Sequence, residues 1–170
     1  NKALAKSIGQ PGYNEISPSV LAQASEDTGK VFEEIKALGK VPSNGRMVNP
    51  IAINPSVASV ADDILRQQGK MIAGQSDQRL IDLAKQTLVL AKNRGRLDGE
   101  AYQLLRSGLS EASYEASGTN RVLYGKLLEA VDKSAQDSLR SLGYDMLADN
   151  LQMVRPQYAA LKTLEKGRVV

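Results

Sequence analysis

The chain contains no histidine, no cysteine and no tryptophan, and its one phenylalanine, Phe32, is joined by only six tyrosines. Each absence excludes a class of chemistry. Without imidazole, the side chain that titrates near neutrality and the commonest metal ligand are both missing. Without thiols there is no cysteine nucleophile, no disulfide-stapled fold and no cysteine-rich zinc site. Scarce aromatics leave the interior to Leu, Ile, Val, Ala and Met, which suits helices packed on helices. No apolar run approaches the ~20 residues of a membrane-spanning helix. The opening NKALAKSIGQ also lacks the apolar stretch of a signal peptide. No membrane insertion of this segment is expected.

What is present points to a helical domain. At 170 residues and 42% apolar, the chain is long enough for one core or two small helical subdomains. The 22 basic and 19 acidic residues are interleaved, for a net charge of +3. Nucleic-acid binders usually cluster a stronger basic excess, so this balance reads as a solvated surface. The chain opens on Asn1 rather than Met, and we expect it to be a piece of a longer protein.

Residues 1–16 read as the end of a preceding helix and a turn, stopped by Gly9, Pro11 and Gly12. A helical bundle domain is then expected over 17–170. Ser17-Pro18 opens its first helix, with Val31, Phe32, Ile35 and Leu38 on one side and Gly39 at the end. Asn54-Pro55 starts the next, with Val57, Val60, Ala61, Ile64, Leu65 and then Met71 and Ile72 as its stripe. Ser76 is expected to cap a third helix carrying Leu80, Ile81, Ala84, Thr87, Leu88 and Ala91. That helix is apolar over more than one stripe, so it is the candidate for the bundle centre, and Gly95 terminates it. Asp98 caps a fourth helix running to about Ala116, with Ala101, Tyr102, Leu105, Leu109 and Ala112 inward. After Gly118-Thr119 comes a fifth, bearing Val122, Leu123, Leu127, Ala130, Val131 and Ala135, with Leu139 and Leu142 finishing it before Gly143. The last carries Leu147, Leu151, Val154, Tyr158 and Leu161, with Pro156 predicting a kink.

The stretch 39–55, GKVPSNGRMVNPIAINP, holds no period for long. A structureless loop of that length is unusual in a compact domain. Two readings stand: an extended cover burying Met47, Val48, Ile51 and Ile53, or a binding loop. No strand with sustained alternation is found elsewhere. The fold class expected is all-α, an antiparallel bundle of about six helices, with two stacked three-helix subunits as the variant.

Candidate chemistry is sparse. The adjacent acids Glu26-Asp27, Glu33-Glu34 and Asp62-Asp63 fall on polar faces and diverge by about 100°, whereas acid–base catalysis needs convergent carboxylates. Serine nucleophiles have no histidine base, and the neighbours Lys133-Ser134 point apart on a helix. There is no phosphate-binding glycine loop and no calcium-loop spacing. No catalytic, cofactor-binding or metal residues are assigned, no cofactor is expected, and the chain reads as a non-enzyme. The best electrostatic candidate is a weak phosphate contact by Lys85, Lys92, Arg94 and Arg96. The competing explanation is that cations in a last turn complement the helix dipole. No aromatic platform lies between them for stacking bases. The tyrosines read as core-edge residues whose hydroxyls reach water or a partner.

The run Leu97-Asp98-Gly99-Glu100-Ala101-Tyr102-Gln103-Leu104-Leu105-Arg106-Ser107 resembles a segment of large virion proteins of tailed bacteriophages. In those proteins an (I/L)DG-x-x-YQ-x-LRS turn and helix precedes two further helices. Their counterparts here are the Leu127–Ser134 region and the series Arg155-Pro156-Gln157-Tyr158, Leu161 and Glu165-Lys166. Pro156 departs from the pattern, and so does the 39–55 segment. The resemblance implies a structural, internal or DNA-ejection protein of a phage or prophage, located in the virion or in the bacterial cytoplasm when expressed from a prophage. Its partners would be other virion proteins or further copies of itself. The resemblance carries over no catalytic residues. Within it, Asp98 and Gly99 serve the start of a helix, Tyr102 and Leu105 its buried side, and Arg106 a salt bridge or partner contact. The alternative is a helical adaptor or effector module of a bacterial protein that binds a host partner.

Overall fold

The computed structural model describes residues 29–155. The expectations for 1–16, for Ser17-Pro18, for Glu26-Asp27 and for Pro156 onward lie outside the described residues. Within them the chain is mostly helical, as its apolar periodicity requires. It divides into two compact units, one comprising Lys36–Gly143, while 29–35 and 144–155 belong to the other. In that second unit Phe32 and Ile35 are buried on a helix that ends at 36, short of Gly39. Ala148, Leu151 and Val154 form the buried stripe of the helix over 145–155.

Four helices build the larger unit: α1 (Pro55–Gly69), α2 (Gln78–Lys92), α3 (Gly99–Glu115) and α4 (Gly118–Ser141). α1 packs on α2 and α3 on α4, and α4 also meets α1. Asn54 precedes α1 as expected, with Pro55 in the first turn, although the Asn54 side chain makes no capping bond. The helix ends at Gly69, before the Met71 and Ile72 expected on its stripe, and Ile72 is 68% exposed. Asp98 caps α3 by accepting from the Ala101 amide at 2.8 Å. The cap of α2 is Asp77 and not Ser76: its carboxylate accepts from the Leu80 amide at 3.2 Å. The anionic side chain also complements the positive end of the helix, which serine cannot do.

The centre of the unit is α4, not α2. α2 buries only Leu80, Ala84, Thr87 and Ala91, and Val89 is 57% exposed. Leu83 and Leu90 are half-buried, so the width of its apolar surface does not translate into all-round burial. α4 is the longest of the four helices and buries residues on several sides, Leu127, Val131, Ser134 and Ser138 among them, whereas Val122, expected on its apolar side, is 56% exposed near its start. A helix with neighbours on several sides must do so.

The chain is not purely helical. Strands β1 (Val41–Ser43) and β2 (Arg46–Val48) form an antiparallel hairpin, and β3 (Ile51–Ala52) pairs antiparallel with β4 (Arg96–Leu97). The hairpin turns through Asn44 and Gly45, both at positive φ (51° and 79°). That is the two-residue turn whose twist matches paired strands, and Asn-Gly is its preferred dipeptide. The stretch 39–55 is therefore mostly paired backbone. Ile51 and Ile53 are buried as a cover requires, but Met47 is 60% exposed on the hairpin, where its neighbours in register leave one face to water.

Gly95 also acts differently from a glycine cap. Arg94 takes the left-handed conformation (φ 52°), while the Gly95 amide donates to the Leu90 carbonyl at 2.7 Å. A β-carbon on Gly95 would stand 2.9 Å from Leu90 Cδ2, which can move aside, and 3.1 Å from the Leu90 carbonyl, which is less free to, so close approach to that turn, rather than φ, favours glycine.

Candidate functional site

The four expected phosphate contacts are differently employed. Lys85 and Lys92 are exposed on α2, and Arg94 is exposed just beyond it. Arg96 sits in β4, and its Nε donates to the Asn49 carbonyl at 2.6 Å. Its guanidinium thus holds the segment entering β3. The other three carry solvated positive charge.

Three polar systems lie inside the larger unit. The first is ionic and joins α3 to α4. Asp132, 2% exposed, accepts at Oδ1 from the Tyr102 hydroxyl at 2.6 Å and from Arg106 Nε at 3.1 Å. Tyr102 and Arg106 are one turn apart on α3, so both reach the same carboxylate. Arg106 was expected to form a salt bridge or a partner contact; it forms the salt bridge, with 2% of its side chain exposed.

The second system is neutral and joins α4 to β3. Ser134 Oγ donates to the Ala52 carbonyl at 2.6 Å and accepts from the Asn54 amide at 2.8 Å. Ser138 Oγ accepts from the Ala52 amide at 2.9 Å, and its one proton has the Ser134 carbonyl at 2.7 Å and the Ala52 carbonyl at 3.2 Å as alternative acceptors. β3 has a strand neighbour, β4, on one edge only, and two serines one turn apart on a helix serve the backbone groups of the other.

The third system pins the α1–α2 turn to the start of α4. Gln68 Oε1 accepts from the Asp77 amide at 2.7 Å, and Gln68 Nε2 donates to Asn120 Oδ1 at 2.7 Å. Asn120 Nδ2 in turn donates to the Gln75 carbonyl at 2.9 Å. Tyr124, 1% exposed, hydrogen-bonds to the Asp77 side chain. Burial first, and the Asp77 carboxylate second, push its hydroxyl well above the usual tyrosine range. The tyrosines at 102 and 124 are thus interior residues bonded to acids, not core-edge residues facing water. An apolar body with a polar tip can be buried whenever the tip is satisfied.

These systems use their polar atoms to hold helices and strands together. Glu33, Glu34, Asp62 and Asp63 are all exposed, and Lys133 is exposed while Ser134 is buried. Among the described residues no group of three or more acids could hold a metal ion, and no helix is long and apolar enough to cross a membrane. One open feature of this unit is a groove of about 410 Å³ between α1 and α4. Val60, Ile64, Leu123 and Ala130 supply its apolar lining, and Lys126, Glu129, Lys133 and Asp137 its charges.

No protein family, no curated protein and no solved structure matches this chain. Its function must be argued from its own residues.

Reasoning from sequence alone missed both Asp132 and the Ser134–Ser138 pair. For Asp132 a signal exists: Tyr102 and Arg106 share the inward side of α3, and a buried guanidinium requires an acid. For the serines there is none, because their partner is backbone remote in sequence.

Proposed function

We propose that this chain is a non-enzymatic helical module of a bacteriophage or prophage virion protein, working through protein contacts in the particle or during genome ejection. The observation that carries the reading is how the resembling motif is used. Asp98 caps α3, the Gly99 amide donates to the Leu38 carbonyl at 3.0 Å, and Tyr102 and Arg106 both bind Asp132. Each of these motif residues does a folding job. A motif whose Asp98, Tyr102 and Arg106 are engaged in folding fits an assembly part better than a reaction centre, and of its other polar members Gln103 keeps a buried side-chain oxygen without a bond. The finer architecture, an antiparallel bundle of about six helices, belongs to the same proposal.

The test is composition of purified particles. Under this reading the protein co-sediments with virions and is found in them by mass spectrometry; its absence from particles overturns the assignment. A second reading, a helical adaptor for a bacterial or host protein, is favoured by the groove between α1 and α4, and a protein found only in the soluble fraction would support it. Contact with DNA through Lys85, Lys92 and Arg94 is addressed by a salt titration. If those cations meet phosphates, log affinity falls with log salt, and a flat dependence removes DNA from the proposal.

A further inference from the structure

The groove charges have an order that the fold does not use. Along α4 the residues Lys126, Glu129, Lys133 and Asp137 alternate in sign, and all four are exposed at the groove between α1 and α4. Their spacing would allow ion pairs within the helix. Among the described residues none of the four makes one, whereas Arg66–Asp63, Arg79–Glu115 and Arg106–Asp132 do pair. Asp63, on the opposite wall, is already paired with Arg66 at 2.6 Å.

The series is its own complement when reversed. Lay a second α4 antiparallel to the first, with the two-fold axis level with the middle of the series. Lys126 then stands opposite the second copy's Asp137, and Glu129 opposite the second copy's Lys133. Symmetry repeats both pairs, so every charge meets its opposite along about 16 Å of helix. Ala130, half-buried near the middle of the series, presents only a methyl group there. A small side chain at that point permits close approach of two helix axes.

We infer that this face is the contact between two copies of the chain in an isologous dimer, each α4 seated along the other's groove. A foreign helix would need the matching alternation by coincidence, whereas the same helix reversed already has it. The apolar lining is modest, and Ile64 and Leu123 are already buried within the chain. A contact of one helix pair is also smaller than the ~1,200–2,000 Å² of a stable interface. The dimer is therefore reversible and salt-sensitive, because exposed ion pairs are screened. The inference concerns the chain in solution and is independent of whether the protein belongs to a particle.

Sedimentation equilibrium of the full chain, over a range of concentrations at low and high salt, is the first test. A monomer–dimer equilibrium that weakens with salt is expected. Charge swapping then identifies the face. The double variant K126E/K133E makes the series wholly acidic, and E129K/D137K makes it wholly basic. All four positions are exposed, and circular dichroism would verify that both variants keep their helix content. Each variant alone should associate about tenfold or more weakly than the parent, because like charges now face each other. Mixed one to one, the two should form a heterodimer at least as tight as the parent dimer. A parent chain that is monomeric throughout overturns the inference. So does a variant that self-associates as well as the parent, which would place the contact on another face, or a mixture that fails to pair.

Discussion

Helix α4 carries two buried polar systems built on opposite terms, and their difference shows how this unit is held together. Toward α3 it offers a charge: Asp132 neutralises Arg106 and takes the Tyr102 hydroxyl, all at 2% exposure or less. Toward β3 it offers only hydroxyls, Ser134 and Ser138, bonded to backbone at Ala52 and Asn54. Buried ions are stable only while each has its partner, since removing one leaves the other desolvated and unopposed. Buried hydroxyls lose about one net hydrogen bond's worth, unless a backbone group is stranded. The α3–α4 contact should thus be brittle and the α4–β3 seam tolerant.

The largest effect is expected at Asp132. Asp132→Ala leaves the Arg106 guanidinium buried without its carboxylate and should lower the unfolding free energy by ~3–5 kcal/mol. Urea denaturation checks this. The double variant D132L/R106M removes both charges and should be less destabilised than Asp132→Ala alone, since apolar pairs of similar volume often replace buried ion pairs without loss. A double variant as unstable as the sum of its singles would show that shape, and not charge, dominates here.

Tyr124 sharpens the comparison, because it is a neutral donor bonded to a charged acceptor. Tyr124→Phe deletes the bond to Asp77 and should cost about 1.5–3 kcal/mol, the range for bonds to charged groups. Its pH behaviour follows from the raised hydroxyl. The folded chain favours the protonated phenol, so the contribution of Tyr124 is complete below the unfolded value near ~10. It is then lost as pH rises from there through the higher folded value. Unfolding free energy measured at increasing alkalinity should fall more steeply for the parent than for Tyr124→Phe. Parallel curves would mean that the hydroxyl is not held by burial and Asp77.

How much of this could be read from residue order depends on the range of each interaction. The start of α3 was legible because cap, turn and stripe lie close together, from Asp98 to Leu109. The hairpin was half legible: Asn44-Gly45 is a strong turn signal, but strands of three residues are too short to show alternation, and Pro42 and Pro50 obscure it. β3 and β4 were not legible at all, since each has two residues and the two strands are separated by α1 and α2. The candidate groove follows the same rule. The order of charges from Lys126 to Asp137 is visible on the page, whereas the opposing wall on α1 exists only once the helices pack.

The smallest effects are expected in the serine seam, and their pattern matters more than their size. The Ala52 carbonyl accepts from the Ser134 hydroxyl at 2.6 Å, while Ser138 Oγ, whose one proton has a shorter acceptor in the Ser134 carbonyl at 2.7 Å, stands 3.2 Å away as a fallback donor. Ser138→Ala strands the Ala52 amide but leaves that carbonyl its shorter bond; Ser134→Ala strands the Asn54 amide and leaves the longer one. Ala52 and Asn54 are only half-buried, so water can reach the stranded amides, and each variant should cost about 1 kcal/mol, the low end for an unpaired group, with Ser134→Ala the greater. The double variant removes both donors at once, so the carbonyl loses the fallback that protected it in each single variant. Its cost should exceed the sum of the two, a coupling that urea denaturation of all four proteins would measure. Strict additivity would mean that β3 is held by its ladder to β4 alone. The contrast between a brittle charged contact and a shared, self-compensating neutral one would then fail.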